Sequence, residues 1–196
     1  MSRTPVLVRD AAPEDAPALL EAWGSFRRTG NERGPSPDAT QVAYSIARVA
    51  ADPDERILVG TIDDTVAGVA HLMRAAISPI HNESAIHLTH LNVSSPYRRH
   101  GVGKALIEAA VTWAEEKDTT HLLAAASVHS RDANRFMARL GLAQIAIVRG
   151  ATIPALRAKL PVEPPAGAMV TSRNQRSVGQ VLAQRRLQRR AQSKNA

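Results

Sequence analysis

The chain has 196 residues, no cysteine, a formal net charge of +7, and 44% hydrophobic but only 3% aromatic residues. The lack of cysteine excludes disulfide scaffolds, thiolate metal sites and a cysteine nucleophile, and aliphatic side chains must fill the core. No run of about 18 apolar residues occurs and the first residues lack a secretory signal pattern, so a cytoplasmic chain without a transmembrane segment is expected.

Apolar periodicity and turn residues predict strands alternating with helices along residues 1–160. Pro13, with two acids after it, suits a first helical turn, and Asp38 suits the N-cap of a second helix. Asp63 and Asp64, between two apolar runs, predict a hairpin turn. In order, the predicted elements are a strand over 6–8, a helix from Pro13, a loop over 25–37, a helix over 39–49, strands over 57–62, 65–72 and 86–93, a helix from Val102, a strand over 121–127, a helix from Ser130 to Leu140, a strand over 144–148, and a helix or strand over 152–160.

Residues 92–104, where a predicted strand meets a predicted helix, are the most informative segment. The spacing here is Arg-x-x-Gly-x-Gly, formed by Arg98, Gly101 and Gly103. Glycines let backbone N–H groups approach a ligand, and the start of a helix has four N–H groups without intrahelical partners. The segment therefore predicts an anion site suited to a pyrophosphate.

This turn lacks the spacing of two common phosphate-binding loops, Gly-x4-Gly-Lys-Ser/Thr and Gly-x-Gly-x-x-Gly. It resembles the acetyl-CoA signature of the GNAT N-acetyltransferase superfamily, in which Gln/Arg-x-x-Gly-x-Gly/Ala follows a strand that ends apolar-x-Val. The resemblance implies acetyl-CoA as co-substrate and an α/β GNAT-type acyl-CoA N-acyltransferase fold, in which helices flank a central twisted mixed β-sheet. The cofactor residues that it implies here are Leu91, Asn92, Val93, Arg98, Arg99, His100, Gly101, Val102, Gly103 and Lys104.

A second segment, over 130–142, resembles the same family. It looks like the signature Asn-x-x-Ala-x-x-aromatic/apolar-Tyr-x-x-x-Gly-Phe, with Ser130 in place of Asn and Met137 in place of Tyr. The resemblance adds Ser130, Asn134 and Met137 to the cofactor residues. Because Met137 cannot donate a proton, the leaving thiolate is protonated by Ser130, Tyr97 or water, or leaves unprotonated, unless catalysis has been lost.

For the general base, the resemblance points to His87, eleven residues before Arg98, where several family members carry a glutamate. The alternative is an ordinary strand histidine, and Glu83, His81 and His90 are further candidates nearby. Strand alternation predicts His87 and His90 on opposite faces, and the histidines have no ordered ligand spacing, so no metal is expected.

The acceptor is expected to be a primary amine on a small molecule or a protein, bound by the loop over 25–37 and the second helix. Arg27, Arg28 and Arg33 make that loop basic, which suits an amine that carries a carboxylate or phosphate. The alternative is a solvated surface loop.

The last 24 residues contain seven basic residues and no acid, so residues 1–172 are formally neutral. The sequence predicts a domain over 1–160, a Pro/Gly-containing linker over 161–172 and a basic tail over 173–196, either helical or disordered. The tail has the charge to contact nucleic acid, but it has no aromatic residue for base stacking, so a solvated tail or docking on a partner subunit of a homodimer is favoured.

Two functions remain open. The first is an N-acetyltransferase that moves an acetyl group from acetyl-CoA to a primary amine by direct attack in a ternary complex. The second is a catalytically weak acetyl-CoA sensor or interaction module, whose basic tail contacts nucleic acid or another partner.

Overall fold

The computed structural model describes residues 5–24, 37–80 and 82–160. The chain divides into two compact units after Val148. The first contains β1 (Leu7–Asp10), α1 (Ala16–Gly24), α2 (Ala39–Ala50), β2 (Glu55–Ile62), β3 (Thr65–Ala76), β4 (Ser84–Val93), α3 (Val102–Glu116), β5 (His121–Ala124) and α4 (Arg131–Arg139). The second unit contains α5 (Ile153–Arg157). The segment 152–160, for which the sequence left a helix or a strand open, therefore begins as a helix.

The predicted linker and tail lie outside the described residues, as do residues 25–36 of the predicted loop and the histidine at position 81. The predicted end of the domain at residue 160 therefore stays a prediction.

The five strands form one mixed sheet in chain order, β1 to β5, which confirms the predicted fold class. The first four strands are antiparallel neighbours, whereas β5 runs parallel to β4. Pairing between β4 and β5 ends at Leu88 and Ala124, although β4 continues to Val93. The last five residues of β4 therefore border a gap at this edge of the sheet.

Local sequence explains several element boundaries. Asp38 caps α2 as predicted: its carboxylate accepts the N–H of Gln41 at 2.8 Å, and the Gln41 side chain accepts the N–H of Asp38 at 3.1 Å. Asp63 and Asp64 both adopt positive φ, 47° and 58°, as a two-residue hairpin turn requires. The cap and the turn each depend on residues at most three positions apart, which is why the sequence pattern predicts both.

Each face of the sheet carries its own apolar core. On one face, α3 packs Val102, Leu106 and Trp113 against β3 and β4. On the other face, α1 and α2 contribute Leu19 and Ile46. The middle of β4 is buried between these two layers, whereas its last residues, from His90 onward, are exposed or half-buried.

Two glycines let α3 lie close to the sheet. Gly60 and Gly68 are paired in the register of β2 and β3. A Cβ atom at Gly68 would lie 2.7 Å from Cγ1 of Val102 and 3.0 Å from the carbonyl oxygen of Asn92. The missing side chains thus allow the first turn of α3, which carries the predicted anion site, to contact the strands.

The prediction of a strand over 144–148 is wrong, because the structure has no strand there. Ile145 is 76% exposed and Val148 is 94% exposed. Alternating Ile and Val side chains express only a local preference, whereas a strand also needs a neighbouring backbone to satisfy its N–H and C=O groups. The strand predicted over 121–127 is likewise shorter and ends at Ala124.

An ion pair holds the start of the first helical segment. Arg9 Nη1 donates to Oδ2 of Asp15 at 2.6 Å, and the N–H of Ala12 donates to the same oxygen at 2.8 Å. The hydrogen bond from Arg9 lowers the pKa of Asp15 below its ordinary value of 3.8, against the opposing effect of burial. Asp15 therefore stays ionised in the folded protein at lower pH than in the unfolded chain.

Asp15→Asn is expected to lower the free energy of unfolding at pH 7 by about 1–2 kcal/mol, since Arg9 is partly exposed and solvent screens the pair. Because the folded-state pKa is depressed, this stabilisation is complete above the unfolded pKa and disappears as the pH falls through the folded pKa. Urea unfolding should show the deficit at pH 7 and a smaller deficit towards about pH 2. The control is Asp10→Asn, which removes a more exposed carboxylate that pairs with Arg56 at 2.8 Å. A deficit for Asp15→Asn that is constant with pH, or no larger than that of the control, would contradict the assignment.

Candidate functional site

Two cavities lie at the end of β4. The first, named here the glycine-turn cavity, has a volume of about 740 Å³, and the second, the histidine cavity, about 560 Å³. The glycine-turn cavity is lined by the end of β4, the turn into α3, the residues after β5, and α4. The histidine cavity is lined by α1, α2, β2 and β3, together with His90 of β4. The chain passes from one to the other between His90 and Leu91.

Positive backbone dihedrals shape the turn before α3. Arg99 has a φ of 65° and Gly101 a φ of 91°. Gly101 is the N-cap of α3 and has no side chain to cap the helix; the first helical bond to it comes from the N–H of Ala105, at 3.0 Å. The preceding N–H groups of α3, which have no intrahelical acceptor, are therefore available to a ligand.

Cations surround this helix start. Arg98, Arg99 and Lys104 of the turn line the glycine-turn cavity, and α4 adds two arginines, Arg135 and Arg139. Lys104 also approaches Glu108 at 3.3 Å, but both side chains are largely exposed, so the pair is weak. Because Asp132 is the single acid among the described lining residues, the cavity favours a polyanionic ligand.

Gly103 leaves space where α3 approaches α4. A Cβ atom at this position would lie 3.3 Å from Cζ of Phe136 and 3.6 Å from Cγ2 of Val93. Both neighbours line the same cavity. A larger residue at position 103 would therefore enter this cavity.

All the predicted cofactor residues except His100 and Asn134 line the glycine-turn cavity. His100 Nδ1 donates to the carbonyl oxygen of Arg98 at 2.9 Å. The amide of Asn134 donates to the carbonyl oxygens of Ser127 and Ser130 at 2.8 and 2.7 Å. These two side chains bond backbone carbonyl oxygens and do not line the cavity.

Ser130 and Met137, the two departures from the family signature, both line the glycine-turn cavity. Ser130 caps α4 by accepting the N–H of Ala133 at 3.3 Å. Met137 is 7% exposed and packs in the core beneath α3. The thioether adds polarisable apolar surface to the wall and no proton donor.

Sequence reasoning missed the arginines of α4 and the residues that follow β5. Ala125, Ala126 and Ser127 line the cavity because β5 runs parallel to β4, so both strands end at the same edge. Arg135 and Arg139 line it from α4, and their spacing of four places them on one face of the helix. That spacing of four was the only feature of the sequence that could have indicated a shared role for the two arginines.

The histidine cavity contains a chain of polar contacts in an otherwise apolar wall. Glu55 is 14% exposed at the side chain and receives Arg48 Nη1 at 3.1 Å and His71 Nε2 at 2.8 Å. Nδ1 of His71 lies 3.1 Å from Oγ1 of Thr89, which lies 3.0 Å from Nδ1 of His90. The contacts connect a carboxylate on β2 to a histidine at the end of β4.

A β-bulge turns His90 into this cavity. The pairing of β3 with β4 passes from His71–Thr89 to Val69–Asn92, so one residue of β3 is opposite two of β4. His90 adopts a φ of 52° at this point. Its ring lies 6.1 Å from the His71 ring and 5.9 Å, edge to face, from the Trp23 ring.

Two further contacts fix the bulge against α1. Trp23 Nε1 donates to the carbonyl oxygen of His90 at 2.9 Å, and the Asn92 amide donates to the carbonyl oxygen of Ala22 at 2.6 Å. Burial, and secondly the charge of His71, lower the pKa of His90 below its ordinary value of 6.5. The neutral imidazole is therefore the dominant form of His90 at pH 7.

The structure places His87, the predicted general base, outside both cavities. His87 pairs with Met73 across the strands, and its Nε2 is buried without a hydrogen-bond partner in the described part of the chain. The expectation that His87 and His90 lie on opposite faces is wrong. Thr89, two residues from His87, pairs with His71, and the bulge brings His90 to that same face.

Within residues 5–24, 37–80 and 82–160, no group of three or more His, Asp or Glu side chains is arranged to hold a metal ion. None of the helices in these ranges has the length and apolarity to cross a membrane.

Comparison with known proteins identifies the class of fold. A family model described as "Acetyltransferase (GNAT) family" matches residues 18–142, which include both cavities' strands and the turn into α3. No curated protein matches the sequence.

Several solved structures share the fold at low sequence identity. A transcriptional regulator from Bacillus halodurans C-125 is 17% identical, with a TM-score of 0.63 over 76% of this chain and 99% of its own. Glucosamine-6-phosphate N-acetyltransferase from Arabidopsis thaliana is 15% identical, with a TM-score of 0.63 and the same coverage. An aminoglycoside N-acetyltransferase in complex with CoA is 16% identical, with a TM-score of 0.58 over 76% of this chain and 94% of its own.

Proposed function

Because this chain belongs to the GNAT acetyltransferase family, we propose that it is an N-acetyltransferase that uses acetyl-CoA and acetylates a primary amine by direct attack in a ternary complex. The observation that carries the proposal is the glycine turn, where an uncapped helix start and a set of cations line one cavity. The fold alone would not carry it, because one fold hosts many activities.

The glycine-turn cavity is the proposed acetyl-CoA site. The N–H groups at the start of α3 receive the diphosphate, assisted by Arg98 and Lys104, while Arg135 and Arg139 of α4 attract the remaining phosphate charge. The gap between β4 and β5 beyond Leu88 receives the pantetheine arm, and the backbone of Val93 bonds its amide. In support, a similar structure of 16% identity was solved with CoA.

The histidine cavity is the proposed acceptor site. Its walls are mainly apolar, from Leu19, Leu20 and Trp23 of α1 and from Val42 and Val49 of α2. Such walls favour an acceptor whose body is apolar, because burying it releases water from both surfaces. The sequence also predicted that the basic loop over 25–37 binds the acceptor. Residues 25–36 of that loop lie outside the described residues.

Few protein groups are needed for this reaction. The chain would hold acetyl-CoA and the amine in adjacent cavities at the end of β4. Holding both reactants in place makes the reaction effectively unimolecular. The amine must be neutral to attack, so a base must accept one proton. Since Met137 offers no proton, no acid is assigned at the position of the family tyrosine.

Two measurements test the proposal. Calorimetric titration with acetyl-CoA and with CoA should show binding of both, and thiol release across a panel of amines with apolar bodies should show turnover. Absence of binding by folded protein would contradict the proposal. Binding without turnover of any amine would favour the second function, an acetyl-CoA sensor. The observation that supports this alternative is Met137, which cannot donate a proton where the family signature has a tyrosine.

A further inference from the structure

We propose that His90 is the catalytic base, and that Thr89, His71 and Glu55 form a proton relay behind it. The inference rests on the proposed function, because a base needs an amine to deprotonate. It replaces His87, which the structure places outside both cavities.

The four groups form an unbroken chain across three strands. Glu55 of β2 contacts His71 of β3 at 2.8 Å, His71 contacts Thr89 of β4 at 3.1 Å, and Thr89 contacts His90 at 3.0 Å. The β-bulge at His90 is what makes the chain continuous, because it brings a residue of β4 beside His71. Backbone conformations of this kind concentrate at functional sites.

One set of tautomers gives all the hydrogen bonds of the relay the same direction. A Glu55 carboxylate can only accept, so Nε2 of His71 donates to it, and the Nδ1 of a His71 ring with one proton then accepts from the Thr89 hydroxyl. The Thr89 oxygen then accepts from Nδ1 of His90, which leaves the lone pair on Nε2 of His90. In this tautomer Nε2 is the ring nitrogen of His90 that can accept a proton, while Nδ1–H is bonded to the relay.

The position of His90 suits the reaction. Its side chain lines the histidine cavity and the next residue, Leu91, lines the glycine-turn cavity. An amine in the first cavity and a thioester in the second would therefore meet beside His90. The other titratable or charged side chains that line the histidine cavity among the described residues are Arg48, Glu55 and His71, and the Arg48–Glu55 pair closes the far end of the relay.

The proton balance is simple. An N–H bond of the acceptor breaks as Nε2 of His90 gains the proton; the His90 Nδ1 proton passes to Thr89, and the Thr89 proton passes to Nδ1 of His71, next to Glu55. The amine nitrogen bonds the thioester carbon, the C–S bond breaks, and CoA leaves as a thiolate. When the proton held by the relay is returned to the CoA thiolate, the net products are the acetylated amide and the CoA thiol.

The tests are steady-state kinetics of three variants. His90→Asn keeps a donor near the Nδ1 position but has no base, and kcat/KM should fall about 100-fold while acetyl-CoA affinity is unchanged. Thr89→Val cuts the relay, and kcat should fall about 10-fold. Thr89→Ser, which restores the hydroxyl, should recover most of that loss. His121→Asn, an exposed histidine on β5, is the matched control.

The pH profile separates a relay from a structural role. Because the pKa of His90 is lowered, its neutral form persists below pH 6.5, and the acid limb of kcat/KM should lie below 6.5. Loss of the Thr89 acceptor destabilises the imidazolium, so Thr89→Val should move that limb to still lower pH. A Thr89→Val profile with wild-type shape, or a larger loss in His87→Asn than in His90→Asn, would overturn the relay.

A second measurement does not depend on turnover. Long-range ¹H–¹⁵N NMR of the histidine rings should find His90 protonated at Nδ1 and His71 at Nε2 at neutral pH. A dominant Nε2–H form of His90 would overturn the relay even if acetylation is observed. If the wild type binds acetyl-CoA but acetylates no amine, the proposed function fails separately, and the NMR tautomers still decide whether the relay exists.

Discussion

Gly103→Glu is expected to weaken acetyl-CoA binding by about 1,000-fold or more, since placing like charges together costs several kcal/mol and each 1.4 kcal/mol is tenfold. The new carboxylate would stand at the first turn of α3, where the diphosphate is proposed to bind. Its Cβ atom would already be 3.3 Å from Phe136. Sterics and charge thus act in the same direction, and calorimetric titration measures the result.

The control for Gly103→Glu is Thr112→Glu, which adds the same charge on the exposed side of α3. Its affinity for acetyl-CoA should match that of the wild type. Circular dichroism melting of both variants separates loss of binding from loss of folding. A folded Gly103→Glu protein that binds acetyl-CoA within about tenfold of the wild type would contradict the placement of the diphosphate.

Gly68→Ala is expected to lower the free energy of unfolding by about 3 kcal/mol, at the upper end of the usual cost of overpacking. The added Cβ would lie 2.7 Å from Cγ1 of Val102 and 3.0 Å from the backbone oxygen of Asn92. The side chain and a strand carbonyl must both move, and α3 must move away from the sheet. Urea unfolding measures the loss, and weaker acetyl-CoA binding should accompany it because the turn moves with α3.

A double-mutant cycle identifies the contact responsible. Val102→Ala removes the Cγ1 atom that the new methyl group would meet, so Gly68→Ala should cost less in the Val102→Ala background than in the wild type. At Gly60 an added Cβ would lie 3.1 Å from the same Cγ1 atom and would meet no backbone atom, so Gly60→Ala should cost less than Gly68→Ala and should also be relieved by Val102→Ala. Additive costs of Gly68→Ala and Val102→Ala would show that the close approach of α3 is not the cause.

The glycine-turn cavity could be predicted from the sequence because its chemistry is contiguous. Arg98, Gly101 and Gly103 lie within one turn, and the strand and helix that flank them are encoded by their own periodicity. The arginines of α4 were missed, because a spacing of four residues says which helix face they share and not which cavity that face meets. The strand predicted over 144–148 failed for a related reason, since its partner backbone cannot be known locally.

The histidine cavity could not be predicted in the same way. Strand alternation assigned His87 and His90 to opposite faces, and one extra residue in β4 reverses that assignment. Nothing in the alternation of residues 86–93 marks the bulge, because it arises from how β3 and β4 pair. Glu55 and His71, which complete the relay, are 35 and 19 positions away from His90 along the chain.

By itself, the sequence determined the alternation of strands and helices, the glycine turn and the Asp38 cap, because each depends on residues a few positions apart whose backbone preferences act locally, and the resemblance of its motifs to a known family implied the mixed α/β fold. The tertiary structure alone decided which histidine enters a cavity, how near α3 lies to Gly60 and Gly68, and which face of α4 meets the turn. These features depend on strand register and on packing between distant segments, and one bulge or one missing Cβ atom changes them without altering any local pattern.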